Sequence, residues 1–146
     1  ARPRLGGHDL SQEVHTMSYA LRIDLERPFD EAVAMIKESL AESGFGILTE
    51  IDLKKTLKNK IDVDIEDQVI LGACNPRFAY RGIQVEPSLG LLLPCNVVVR
   101  HSAGVTVVET IDPETMVTLT GNPEMEAVAL EVRAGLKAAL ERVAAS

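Results

Sequence analysis

The sequence predicts an α+β two-layer sandwich, in which helices pack on one face of a mainly antiparallel sheet. Apolar residues alternate with polar ones over residues 18–25, which is typical of a half-buried strand. Ser102-Ala103-Gly104 separates two runs rich in β-branched residues, as a hairpin turn does. Apolar stripes of helical period occur near both ends of the chain, so helices are expected to cover the sheet.

The first half of the chain alternates strands and helices. After the strand at 18–25, a helix opens at Pro28 and ends near Gly44. Its apolar positions are Phe29, Val33, Ile36 and Leu40. Residues 45–51 form the next predicted strand, and Asp52 is placed to cap a short polar helix at 53–58.

An apolar strand at 69–74 leads directly into another helix. Asn75-Pro76 is typical of an N-cap followed by the first helical position, so this helix covers 77–85. A long strand over 91–100 follows, with an irregularity at Pro94, because proline cannot donate to a strand ladder.

The last third of the chain completes the sheet and adds a long helix. Residues 105–111 form the second strand of the hairpin, and residues 116–119 are interpreted as one more short strand. Asn122-Pro123-Glu124 caps the final helix. The apolar stripe of this helix consists of Met125, Val128, Val132, Leu136, Leu140 and Val143. Helices on one face leave the other sheet face in need of cover, which predicts a homodimer.

Length, composition and charge restrict the function classes. A chain of 146 residues has the length of one domain, which is predicted at 18–146, with 1–17 as an extension or leader outside it. The net charge of −7 and the 3% of aromatic residues argue against a nucleic-acid partner, and the charge argues against an anionic membrane partner. No apolar run reaches the roughly 18 residues of a membrane span. With only two cysteines, a cytoplasmic setting with reduced thiols is expected.

Both cysteines lie in similar surroundings and are candidate thiols. Cys74 ends a strand just before a helix, where the helix dipole favours a thiolate, and Cys95 lies twenty-one positions later. Each is followed by Asn. If their strands pair antiparallel, the two thiols lie near each other. They are either buried structural thiols or reactive ones; a set with His101 matches no tight zinc spacing, so we predict no metal and no cofactor.

The predicted helix at 77–85 carries an unusual charge pattern. Arg77 lies at its start, where a cation opposes the helix dipole, and Arg81 shares its face. From residue 68 to 108 three arginines face one glutamate, a net +2 in an acidic chain. Such an island suits an anion, unless acidic side chains from elsewhere pair with these arginines. The predicted ligand-binding residues are Asn75, Arg77, Tyr80, Arg81 and Asn96.

Two motifs resemble those of a known family. They are Leu71-Gly72-Ala73-Cys74-Asn75-Pro76 with Ala79, and Gly90-Leu91-Leu92-Leu93-Pro94-Cys95-Asn96-Val97, supported by Gly44-Phe45-Gly46 and Ile111-Asp112-Pro113. Together they resemble the family called domain of unknown function 302, over residues 18–143. The resemblance implies a small α+β fold of the TATA-binding-protein-like class and an assembly of paired subunits. The likeness to that class is one of fold only and does not by itself imply DNA binding, and the resemblance assigns no catalytic residues.

The sequence is compatible with two functions and with a purely structural subunit. One is a homodimeric module that binds a small anionic ligand. The other is a thiol-dependent redox enzyme or sulfur carrier that uses Cys74 with Cys95. Whether the protein is an enzyme is left open.

Overall fold

The computed structural model describes residues 13–146, which build a six-stranded antiparallel sheet with helices packed against it. The strands are β1 (His15–Met17), β2 (Ala20–Leu25), β3 (Gly46–Asp52), β4 (Gln68–Cys74), β5 (Cys95–Ser102) and β6 (Val105–Ile111). The helices are α1 (Phe29–Glu42), α2 (Leu53–Ile61), α3 (Pro76–Val85), α4 (Glu114–Thr120) and α5 (Glu126–Ala145), with 3₁₀ turns at Pro87–Leu92 and Pro123–Met125. The predicted α+β sandwich is confirmed.

The sheet order is β1-β2-β6-β5-β4-β3, and every neighbouring pair is antiparallel. The predicted hairpin joins β5 and β6. Its turn residues Ala103 and Gly104 have φ values of 50° and 82°, so both adopt the left-handed backbone that tight hairpins use. The order places β4 next to β5, which positions the two cysteine motifs side by side.

The core lies between one sheet face and the two long helices, α1 and α5. Alternation along β2 buries Leu21 and Ile23, and the same face of the sheet meets Ile36 of α1 and Leu136 of α5. All six positions predicted for the stripe of the last helix are buried, although Met125 belongs to the turn that precedes α5. Full burial of one such aliphatic side chain stabilises the fold by about 1.5–3 kcal/mol.

The opposite sheet face carries ion pairs between charged side chains. Arg22 contacts Asp24 at 2.8 Å and Arg100 contacts Glu109 at 2.9 Å. A polar outer face opposite an apolar inner one is typical of antiparallel sheets.

Three helix ends confirm the local signals in the sequence. Gly44, with φ 84°, ends α1: its N–H bonds to Ala41 O and the next N–H bonds to Leu40 O. Asp52 caps α2 by accepting a hydrogen bond from Lys55 N at 2.9 Å. Asn75 caps α3, with Pro76 as its first residue.

The amino-terminal boundary of the sheet differs from the predicted one. The sequence predicts a domain that begins at residue 18, whereas β1 at His15–Met17 pairs with β2. Tyr19 lies in the turn between these strands and is 67% exposed. Residues 1–12 of the predicted leader lie outside the described residues.

Two predicted strand segments are wrong. Residues 116–119 belong to α4, which starts where Asp112 Oδ1 accepts a hydrogen bond from Glu114 N at 3.1 Å and ends at Gly121, with φ 62°. The first part of the predicted strand at 91–100 is occupied by the 3₁₀ turn, and β5 begins only at Cys95, after a cis Leu93–Pro94 bond.

None of the helices within residues 13–146 is long and apolar enough to cross a membrane, and this includes the longest one, α5.

Candidate functional site

The end of β4 and the start of β5 bring the two cysteines to neighbouring positions. The register pairs Ala73 with Cys95, so Cys74 lies one position beyond the residue that faces Cys95. The antiparallel pairing assumed from the sequence is therefore present. Neither cysteine forms a disulfide.

A small cavity of about 30 Å³ lies between these strand ends, α3 and the start of α5. Its wall includes both cysteines together with the aromatic rings of Phe45 and Phe78. Pockets for drug-sized molecules measure about 300–1,000 Å³, so this cavity excludes an organic ligand of that size.

The two thiols differ in exposure and in acidity. Cys95 is only 5% exposed, whereas Cys74 is half-buried. Burial, and secondly the nearby Cys74 thiol, raise the pKa of Cys95 from 9.0 to about 11. Cys95 therefore stays a neutral thiol near pH 7, and Cys74 is the thiol that a reagent can reach.

Asn75 organises the start of α3. Its Oδ1 accepts hydrogen bonds from Arg77 N at 3.1 Å and Phe78 N at 3.4 Å. Its Nδ2 lies against the chain reversal after α1: a Cβ added at Gly44 would come within 3.0 Å of it. The side chain predicted to bind a ligand thus caps the helix and packs against Gly44.

The arginines of α3 have different surroundings. Arg81 forms an ion pair with Glu131 of α5 at 2.5 Å, and its guanidinium lies 5.8 Å from the centre of the Phe78 ring. The exposed side chain of Arg77 has no hydrogen bond or ion pair within residues 13–146. Tyr80, three residues after Arg77, is 62% exposed. Pairing with an acidic residue thus accounts for one of the two arginines.

At the carboxyl end of α3, the side chain of Asn122 forms hydrogen bonds with the last carbonyl group and with Glu86. Asn122 Nδ2 donates to Val85 O at 2.8 Å and to Glu86 Oε1 at 3.1 Å. The carboxylate that opposes the helix dipole there is therefore hydrogen-bonded to the segment that leads into α5.

Asn96 and His101 lie apart from this group. Asn96 pairs with Gly72 and is exposed; because side chains alternate along β5, it lies on the opposite sheet face from Cys95. His101 lies at the far end of β5, about 20 Å from Cys95 along the strand. Asn75, Arg77 and Tyr80 therefore lie at the start of α3, directly after Cys74. Asn96 and His101 lie elsewhere, on the outer face and at the far end of β5.

Conventional metal-binding clusters are absent from residues 13–146, where no three His, Cys, Asp or Glu side chains are placed to hold an ion. The acidic loop after α2 is instead neutralised by lysines: Lys58 contacts Asp62 at 2.8 Å and Lys54 contacts Asp67 at 3.6 Å.

Two methionines of the cavity wall are not among the residues predicted from the sequence. Met116 of α4 and Met125, in the turn before α5, both line the cavity and are 4% and 0% exposed. Nothing local in the sequence indicates this, because Met125 is an ordinary member of an apolar helical stripe and Met116 lies in a segment predicted as a short strand.

Comparison with known proteins identifies relatives of uncharacterised function. The family model described as domain of unknown function DUF302 matches residues 21–143, which include both cysteine motifs. The crystal structure of an uncharacterised conserved DUF302 protein from Bacillus stearothermophilus is similar, with a TM-score of 0.82 and 28% identity. That match covers 86% of this chain and 98% of the other. No curated protein matches this chain.

Proposed function

Because this chain belongs to the DUF302 family, whose function is unknown, we propose a function from its own residues. The protein is a homodimeric module that binds a small anionic ligand at the amino-terminal end of α3. The observation that supports this most directly is the exposed guanidinium of Arg77, which has no acidic partner within residues 13–146.

The position of Arg77 is unfavourable for the isolated helix. A cation in the first turn opposes the helix dipole by about 0.3–1 kcal/mol. An anion at this place interacts favourably with both the guanidinium and the helix dipole. Since Asn75 Oδ1 already accepts from Arg77 N and Phe78 N, the ligand is held by side chains rather than by these two backbone groups.

Neighbouring side chains define the proposed site. Tyr80 lies three residues after Arg77 on a shared helix face, so its hydroxyl is available to the same ligand. Arg81 contributes less, because Glu131 already neutralises it. Asn96 lies on the other sheet face and enters the proposal only as part of the surface that a second subunit covers.

The experiment is a titration of the protein with acetate, phosphate, sulfate and thiosulfate, followed by calorimetry and thermal melting. A charge-assisted hydrogen bond contributes about 1.5–3 kcal/mol, so Arg77→Gln should weaken binding about 10- to 100-fold. Lys60→Gln is the matched control, since it removes one exposed positive charge from α2. Equal dissociation constants for wild type, Lys60→Gln and the double variant Arg77→Gln/Arg81→Gln would show that α3 does not bind the anion.

Apolar side chains at one end of the outer sheet face support the homodimer. Leu91, Leu119 and Tyr19 are 87%, 67% and 67% exposed. A groove of about 240 Å³ that includes Leu91 and Leu119 continues through Ile111 into a depression that includes Tyr19. Exposed apolar groups of this kind gain from burial against a second copy.

The dimer is tested by sedimentation equilibrium over a range of protein concentrations. Leu91→Glu should shift the protein toward monomer, whereas Leu130→Glu, on α5 and 51% exposed, should not. A wild-type protein that sediments as a monomer at every concentration would refute this part of the proposal and leave the anion site untouched.

The neighbouring positions of Cys74 and Cys95 favour a second candidate, a thiol-dependent redox enzyme or sulfur carrier. In this function Cys74 is the attacking thiol, because Cys95 is buried and its pKa is raised to about 11. Cys95 then acts only as a partner.

Alkylation with iodoacetamide followed by peptide mass spectrometry tests this second candidate. Cys74 should react near neutral pH much faster than a model thiol, while Cys95 should stay unmodified in the folded protein. If both cysteines react only after denaturation, they are structural and the thiol function is excluded.

A further inference from the structure

The last strand of the sheet, β3, has a partner strand on one side only. It pairs with β4, and no other strand within residues 13–146 lies along its second edge. Six of its seven residues are exposed. An open strand edge presents backbone N–H and C=O groups that can pair with a further strand. The edge of β3 is therefore a place where an extended chain can add to the sheet.

The two faces of β3 differ in chemistry along this edge. The register pairs Glu50 with Leu71 and Asp52 with Val69, and both of these β4 residues belong to the core. The two carboxylates therefore lie on the inner face of the sheet. Ile51, between them, lies on the outer face and is 45% exposed. A strand that pairs with this edge meets acidic side chains on one face and an apolar side chain on the other.

A pocket of about 150 Å³ adjoins the inner face of this edge, where β3 approaches the start of α1. Lysines contact two of the four carboxylates in its wall, which leaves a net charge of −2. The ring of Phe29 also lines the pocket, and aromatic faces and carboxylates both attract cationic groups. The pocket thus suits a lysine or arginine side chain. Its four carboxylates belong to Asp30, Glu50, Asp52 and Asp67.

These carboxylates disfavour a second copy of β3 as the occupant of the edge. An antiparallel pair of two β3 strands would bring two acidic rows onto one sheet face, in a chain that already carries a net charge of −7. The register shift between Ile47 and Thr49 also limits regular pairing to residues 49–52. Charge complementarity therefore selects a basic partner, and strand alternation requires its basic residues at every second position.

We propose that the open edge of β3 binds an extended segment of another protein in which basic and apolar residues alternate. The segment adds to the sheet as a further strand, with its basic side chains toward Glu50, Asp52 and the adjoining pocket. Its apolar side chains pack beside Ile51. This surface is separate from the anion site on α3 and from the groove that includes Leu91, so its failure would leave both of those proposals untouched.

The probe is a capped seven-residue peptide in which valine and lysine alternate, matched in length to β3, and binding is measured by calorimetry. Replacing each lysine by glutamate should weaken binding at least about tenfold, because like charges then face each other across the strands. A peptide of the same composition with its lysines in one block should bind about fivefold more weakly than the alternating one, since only alternation places all the basic side chains on one face.

Hydrogen exchange measured by mass spectrometry locates the bound peptide. At a free peptide concentration about ten times Kd, the amides along the open edge of β3 should exchange about tenfold more slowly, because they exchange only from the unbound protein. The amides of α5 should be unaffected. Protection of residues 46–52 that rises with protein concentration in the absence of peptide would show that a second copy occupies the edge, and would overturn the proposal.

A charge-removing variant tests the acidic pocket. Asp30→Asn/Glu50→Gln removes two exposed carboxylates from its wall and should weaken binding of the alternating peptide about fivefold. Asp52 is left unchanged because it caps α2. The matched control, Glu38→Gln/Glu141→Gln, removes two exposed carboxylates outside the pocket and should bind as wild type does.

Three results would each overturn the proposal. They are the absence of binding of the alternating peptide to wild type, equal binding of the alternating and block peptides, and equal affinities of the two double variants. The first two are measured on wild type, so they remain decisive even if a variant is destabilised.

Discussion

Raising the pH should destabilise the protein through one buried group, the thiol of Cys95. Burial, and secondly Cys74, hold its folded pKa at about 11 against an ordinary value of 9.0. Because the unfolded thiol ionises first, the stability linked to Cys95 is fully present below pH 9 and is lost as the pH rises through 11. A pKa difference of this size corresponds to a loss of about 2 kcal/mol by pH 11, approaching about 3 kcal/mol at higher pH.

The assay is urea unfolding of wild type and Cys95→Ala at several values between about pH 8 and pH 11. Contributions from groups that both proteins share cancel in the difference. The stability advantage of wild type over Cys95→Ala should therefore shrink by about 2 kcal/mol across this range. The Cys74→Ala variant should keep most of this pH-dependent loss of stability, since burial is the larger cause of the raised Cys95 pKa. Parallel curves for wild type and Cys95→Ala would refute the reasoning, because the buried thiol would then not have a raised pKa.

Three substitutions test the contacts that shape this end of the fold, each by urea unfolding. Asn75→Ala removes the cap of α3 and should cost about 1 kcal/mol, whereas Asn75→Asp should keep the cap; equal losses would contradict the capping role. Gly72→Ala places a Cβ 2.2 Å from Thr49 Oγ1 and 2.7 Å from Pro94 Cγ, so a loss of about 1–3 kcal/mol is expected, partly rescued by Thr49→Ala. Asp112→Ala removes the bonds to Glu114 N and Arg133 Nε and should cost about 2 kcal/mol; a neutral effect would show that this buried carboxylate does not hold α4.

Local sequence signals predicted much of the architecture because each is decided within a few residues. Asp52 and Asn75 accept hydrogen bonds from backbone N–H groups two or three positions later, so the cap is visible in the sequence. The end of α1 at Gly44 likewise depends on one residue that tolerates a positive φ.

The errors occur where a short segment is compatible with two structures. Residues 116–119 contain Val and Thr, which favour strands, yet the hydrogen bond from Glu114 N to Asp112 starts a helix there. Similarly, the apolar residues at 91–93 read as part of a strand, but they end a 3₁₀ turn and precede a cis peptide bond. The apolar pattern of three or four residues does not distinguish a strand from a short helix or a 3₁₀ turn.

Some features of the candidate site likewise follow from the sequence, and others depend on the tertiary structure. The sequence by itself determined that Cys74 precedes a capped helix start and that Arg77 and Arg81 share a helix face, because these relations follow from chain periodicity. Only the tertiary structure decided that Glu131 neutralises Arg81 and not Arg77, and that Met116 and Met125 join both cysteines around one cavity. Such contacts depend on how distant elements pack, and no local spacing records that packing.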